Sequence, residues 1–218
     1  MKLLLTSGGL TNKSIVRALT ELVGKALAET SLVFVPTASN VETGDKDWFI
    51  NDLLNIHKQG FKSVAIADIS AVPEALWRPQ FESADVLFFE GGNTYHLMEW
   101  INRSGLAALL PDLLKTKVWV GVSAGSLVTN PDLAAKISQA IYQEDFDKMG
   151  EVPGLAYVDF YTLPHLNSPY FPLLTESNIA KLSERIPRKI YALDDQSALK
   201  VVDGKAEVIS EGKWAEFN

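Results

Sequence analysis

The 218-residue sequence contains no cysteine. That absence excludes a disulfide framework, a cysteine-ligated zinc site and a thiolate nucleophile, and with the last of these a thiol-type glutaminase. Histidine is scarce too: His57, His96 and His165 are the full complement, widely spaced and without an H-E-x-x-H pattern. No metal is therefore expected. Clustered Lys and Arg are missing from a chain of formal charge −7, so a nucleic-acid partner is not expected, because phosphate-backbone binding needs such clusters. No apolar run approaches the roughly 18 residues of a membrane span. Leu3-Leu4-Leu5 is cut off by Thr6-Ser7-Gly8-Gly9, too short for a signal-peptide core, and reads as a first strand. The expectation is a cytoplasmic protein without membrane contact. G-x-G-x-x-G and G-x-x-x-x-G-K-[ST] are both absent, and no cofactor is expected.

What is present is the composition of an ordinary globular chain, 47% hydrophobic and 22% charged, long enough for one sizeable core. Internal repeats, low-complexity tracts and linker-like stretches are lacking, so a single α/β domain over residues 1–218 is expected. Short apolar runs of strand type fall at Lys2–Thr6, Leu32–Pro36, Ser63–Ile66, Val86–Glu90 and Val118–Val122. Helical spacing occupies Asn12–Leu27, Lys46–Gln59, Thr94–Asn102 and Gly105–Lys115. Runs apolar on both faces and alternating with helices predict a mostly parallel, doubly wound sheet. Further on, Tyr157–Leu163 and Lys189–Leu193 read as strands. Ala198–Val202 and Ala206–Ile209 around Asp203-Gly204 read as a C-terminal β-hairpin.

Two glycine clusters follow strands. Val118-Trp-Val-Gly-Val-Ser-Ala-Gly-Ser-Leu-Val128 places Ser123 just past a buried strand, in the G-x-S-x-G context of a nucleophile elbow, where small neighbours allow a sharp turn. The bland reading of Ser123 is a helix cap. A serine nucleophile needs a base, and His165, ending Tyr161-Thr162-Leu163-Pro164-His165, stands where a strand stops and a loop begins. His57 reads as a helix-surface residue, and His96 as packed in its helix. In Phe88-Phe89-Glu90-Gly91-Gly92-Asn93-Thr94, an N–H of Gly91 or Gly92 could serve as one oxyanion donor beside that of Ala124. An ordinary strand-to-helix turn is the alternative there. Asn93, Thr94 and Asn167 are candidate substrate-binding residues.

Together "EGGNTYHL", "GVSAGS" and "YVDFYTLPH", in this order and spacing, resemble the peptidase E family of serine peptidases, which includes aspartyl dipeptidase and is related to cyanophycinase. The resemblance implies a class I glutamine amidotransferase-like fold with Ser in place of Cys at the elbow. It implies Ser123 as nucleophile, His165 as base, the N–H groups of Gly92 and Ala124 as oxyanion hole, and a small peptide as substrate. Two departures stand out. Family members carry an acid fifteen to eighteen residues after the serine, but this chain reads Ser138-Gln139-Ala140-Ile141 there. Glu144 or Asp145 is then expected as the orienting acid, with Asp132, Asp194 and Asp195 as further options and a Ser–His dyad as another. The arginines that suit an acidic substrate end are missing from 166–178, so Tyr170, Phe171 and Asn167 point to a neutral or aromatic pocket. The expected function is a dipeptidase-like serine peptidase. The alternative is a catalytically impaired small-molecule or peptide binding protein, and an α/β-hydrolase esterase is disfavoured because no histidine follows His165. A homodimer is compatible with the sequence.

Overall fold

In the computed structural model, which describes residues 1–133 and 153–218, the chain alternates strand and helix through its first 127 residues. The elements are β1 (Lys2–Thr6), α1 (Lys13–Val23), β2 (Ser31–Val35), α2 (Thr37–Asn40), α3 (Asp47–Lys58), β3 (Ser63–Ile66), α4 (Glu74–Ser83), β4 (Val86–Phe89), α5 (Thr94–Arg103), α6 (Leu106–Leu113), β5 (Val118–Val122) and α7 (Ala124–Leu127). Then come β6 (Tyr161–Pro164), α8 (Glu176–Ser183), β7 (Ile190–Leu193), β8 (Ser197–Val202), β9 (Lys205–Ser210) and β10 (Trp214–Phe217).

The main sheet has the order β3-β2-β4-β5-β1-β8-β9. Its first five strands run parallel, β8 adds antiparallel to β1, and β9 antiparallel to β8. This is the mostly parallel α/β architecture that the hydrophobic pattern predicts. Strand parity explains the two-sided burial. Leu3, Leu5, Val33, Val35, Leu87, Phe89 and Trp119 face one side, against Trp77 and Phe81 of α4 and Leu97, Ile101 and Leu110 of α5 and α6. Leu4, Leu32, Phe34, Val86, Phe88, Val118 and Val120 face the other, against Ile15, Leu19 and Leu22 of α1 and Ile56 of α3. The expected hairpin is β8–β9, and its turn residues Asp203 and Gly204 both have positive φ, 48° and 81°.

The last third departs from expectation in one respect. Strands β6 and β7 do not join the main sheet but form a second, three-stranded one with β10, in the order β10-β7-β6. It has its own small core of Tyr161, Leu163, Ile179, Ile190 and Ala192. The strand expected from Tyr157 starts only at Tyr161, five residues after a left-handed Ala156 at φ 52°. Among the described residues no helix is long and apolar enough to cross a membrane.

Candidate active site

The site forms where several strands end together. Parallel pairing sets Thr6 of β1 beside Val122 of β5, so Ser7 and Ser123 leave the sheet side by side. Parallel pairing of β6 with β7 sets Pro164 beside Leu193, so the chain leaves at His165 and at Asp194-Asp195 on the same rim. The segment after β7 then enters β8, where Ala198 pairs with Thr6. That closure carries Asp195 to β1. Four distant stretches therefore converge at the carboxyl ends of strands, the place where open α/β sheets hold ligands.

Ser123 has φ 45° and ψ −104°, a conformation a non-glycine residue adopts only where its surroundings impose it. The imposing contacts are local. The Ser123 N–H donates to the Thr6 carbonyl at 3.1 Å, and the Ser126 hydroxyl donates to the carbonyls of Thr6 and Gly121 at 2.8 and 2.9 Å. Glycine is needed on both sides, since a methyl at Gly121 would meet the Gly125 carbonyl and one at Gly125 the Phe89 carbonyl. These are the small neighbours of the elbow pattern, and Ser123 turns out to start α7 without a side-chain capping bond.

His165 Nε2 lies 2.9 Å from Ser123 Oγ, and its Nδ1 lies 2.7 Å from Asp195 Oδ1. The imidazole thus bridges a hydroxyl and a carboxylate through its two nitrogens. A neutral ring with the proton on Nδ1 would donate to Asp195 and leave Nε2 to accept from Ser123. The His165 backbone also has positive φ, 70°, and its N–H donates to the Ser7 hydroxyl at 2.8 Å. That hydroxyl in turn donates to Asp195 Oδ1 at 2.6 Å. The Phe171 ring stacks on the imidazole at 4.7 Å between centroids. Burial pushes the Asp195 carboxyl upward, but the bond and charge of His165 and the Ser7 hydroxyl outweigh it. The net effect holds Asp195 below the usual carboxylate range.

The remaining expected residues are placed as follows. Gly91 adjoins the serine, since a Cβ built on it would fall 3.4 Å from Ser123 Cβ. Gly92 has φ 124°, and a methyl there would strike the Ala38 backbone. Among the described residues neither the Gly92 nor the Ala124 N–H has an acceptor within the protein. Asn93 caps α5 by accepting from the His96 N–H at 2.9 Å, and Thr94, the first residue of α5, is buried. Asn167 is exposed and left-handed at φ 59°. His57 is an exposed residue of α3, and His96 packs beside Trp100. Glu144 and Asp145 lie outside the described residues. The carboxylate on His165 is Asp195, which sequence reasoning held only as a further option. Position was the available signal, and it narrows the choice only to Asp194 and Asp195, both just beyond a strand end as Ser123 and His165 are. Asp132 instead accepts from the Tyr161 hydroxyl at 2.7 Å, and Asp194 binds the Ser197 hydroxyl. Among the described residues no group of three or more acidic or histidine side chains could hold a metal ion.

The model of peptidase family S51 matches residues 3–209. An uncharacterized peptidase of Pasteurella multocida (strain Pm70) is 26% identical over 82% of this chain and 84% of its own. One of Listeria monocytogenes (serovar 1/2a, strain EGD-e) is 27% identical over 91% and 94%. The 1.5 Å crystal structure of a Listeria monocytogenes EGD-e protein assigned as a peptidase E superposes with a TM-score of 0.78 at 25% identity, covering 97% of this chain and 98% of that one. The crystal structure of a peptidase from an acI-B1 Actinobacterium shares the fold, with a TM-score of 0.70 at 16% identity over 98% of this chain and 88% of the other.

Proposed function

This chain belongs to peptidase family S51 and is a peptidase, and on that footing we propose that it hydrolyses small peptides through a Ser123–His165–Asp195 triad and an acyl-enzyme. The observation that carries the reading is the two-sided imidazole, 2.9 Å from a strained serine and 2.7 Å from a carboxylate. His165 Nε2 takes the hydroxyl proton as Ser123 Oγ attacks the scissile carbonyl carbon. Asp195 holds the ring in the required tautomer and stabilises the imidazolium. The carbonyl oxygen, now negative, lies toward the Gly92 and Ala124 N–H groups, which have no other acceptor among the described residues. His165 then gives its proton to the leaving amine as the C–N bond breaks, and water repeats the sequence on the ester. The alternative, an impaired ligand-binding member of the fold, rests on the missing acid fifteen to eighteen residues after the serine; the Asp195 carboxylate 2.7 Å from His165 Nδ1 supports the peptidase reading instead.

An active-site-directed fluorophosphonate tests this directly. The wild type should take up one label, at Ser123, and Ser123→Ala none. A wild type that resists the reagent, or equal labelling of the alanine variant, overturns the reading.

A further inference from the structure

Close to the triad, two carboxyl groups meet in the interior. Asp52 lies on α3 and is 9% exposed, while Glu90 follows β4 and is fully buried. Among the described residues neither Glu90 oxygen has a hydrogen-bond donor in good geometry. What they do meet is the Asp52 carboxyl and, in poorer alignment, the N–H of Gly91. Two acceptors facing each other in a buried place are stable only with a proton between them. The location ties this pair to the site. A Cβ built on Gly9 would fall 3.0 Å from Asp52 Oδ1 and 3.6 Å from Val122 Cγ2. Asp52 thus leans on the loop that begins at Ser7, beside the residue preceding Ser123. Glu90 is joined by its peptide bond to Gly91, the neighbour of Ser123.

We propose that Asp52 and Glu90 share one proton held on Glu90, so that Asp52 adds a buried negative charge behind the Ser123–His165–Asp195 assembly and acts as a positioning group for the imidazolium. The proposal deepens the peptidase reading and rests on it. The proton belongs on Glu90 because that side chain is the more deeply buried. Burial, joined by the Asp52 charge, lifts Glu90 well above the ordinary range. Burial also pushes Asp52 up to about 6, with the Glu90 hydrogen bond and the His165 charge acting downward and the Asp195 charge upward. Among the described residues, Glu90, Asp195 and His165 are the titratable groups that face Asp52. Electrostatic interaction is reciprocal: if His165 favours the Asp52 anion, that anion favours the imidazolium.

The test follows the fluorophosphonate labelling rate against pH in wild type, Asp52→Asn and Glu90→Gln, which needs no knowledge of the substrate. Removing the Asp52 charge should weaken the imidazolium formed during attack and lower the site's affinity for a proton. In Asp52→Asn the acid limb should therefore move down by about half to one pH unit, with a plateau about three- to tenfold lower. In Glu90→Gln the amide donates to Asp52 in place of the shared proton and the charge stays, so the limb should hold its place or move up. Labelling in which Asp52→Asn keeps the wild-type limb, or in which both variants shift down alike, overturns the proposal while leaving the peptidase reading intact. A wild type that never labels removes both. If Asp52→Asn fails to fold, the infrared C=O stretch of a protonated carboxyl decides. At about pH 8, above the ordinary carboxylate range, it should be present in wild type and lost in Glu90→Gln. Its absence from wild type overturns the proposal.

Discussion

At the scale of single residues, the site is a set of constraints that hold each other. Ser123 and His165 both have positive φ, and the hydrogen bonds of Thr6, Ser126 and Ser7 help to hold the backbone there. Strain of this kind persists only where surrounding structure over-determines it. Asp195 and Ser7 should accordingly differ in their effect. Asp195→Asn can leave the ring in place but favours the wrong tautomer, and by analogy with other triads kcat should fall by about three to four orders of magnitude. Ser7→Ala removes one bond to Asp195 and one from the His165 backbone without removing any group that reacts. It should lower kcat by roughly ten- to a hundredfold, the worth of two ordinary hydrogen bonds, with KM unchanged. Steady-state kinetics on any cleaved peptide check both, and an Asp195→Asn variant as active as Ser7→Ala would remove Asp195 from the triad. Asp195 also shows where sequence reading stops. Serine and histidine were legible because glycines and a strand end framed the one, and only three histidines competed for the other role. Acids are plentiful, and which of them reaches the ring depends on how β7 and β8 cross to β1, which no local pattern encodes.

At the scale of elements, α3 and β4 place an acid pair inside a layer that is otherwise apolar, and that has a thermodynamic cost with a definite sign. Asp52 titrates near 3.8 when unfolded and at about 6 when folded, so between those values the native state holds more protons than the unfolded one. Stability must then fall as pH rises through that window, by on the order of 3 kcal/mol from this group once it is ionised. Asp52→Asn should lose less stability than wild type between about pH 4 and about pH 7. Denaturant unfolding at a series of pH values measures this, and parallel curves for the two proteins would show that Asp52 is not perturbed. The element scale is also where the sequence was most informative. Two-faced strands such as Leu-Val-Phe-Val and Val-Leu-Phe-Phe predict β2 and β4 because both neighbours are helices. Helix α4 was harder to see, since Pro79 sits inside it and only Trp77 and Phe81 are buried. The second sheet was illegible for another reason: β6, β7 and β10 have only four residues each, and a short strand's pattern does not say which sheet it joins.

At the scale of the whole molecule, net charge and the residues that follow His165 would act in the same direction on the substrate choice of the proposed peptidase. The chain carries a formal charge of −7, so an acidic peptide approaches against the mean field of the protein, an effect that salt weakens. Residues 166–178, which follow the histidine, hold no Arg or Lys to neutralise an acidic side chain once it arrives. They hold instead Phe171, stacked on the His165 ring, and the neighbouring Tyr170, which is 87% exposed. An aromatic surface of this sort rewards apolar contact and leaves a carboxylate desolvated without a partner. In a mixture of dipeptides varied at the N-terminal residue and followed by mass spectrometry, those beginning with neutral or aromatic residues should be consumed first. Their kcat/KM should exceed that of Asp-initiated peptides by at least about tenfold, the discrimination one pocket contact supplies. Added salt should narrow the gap without closing it, because screening removes the long-range repulsion but not the cost of burying an unpaired charge. Preferential cleavage of Asp-initiated peptides would mean that a cation from elsewhere in the molecule reaches the substrate, and the aromatic-pocket argument would fail with it.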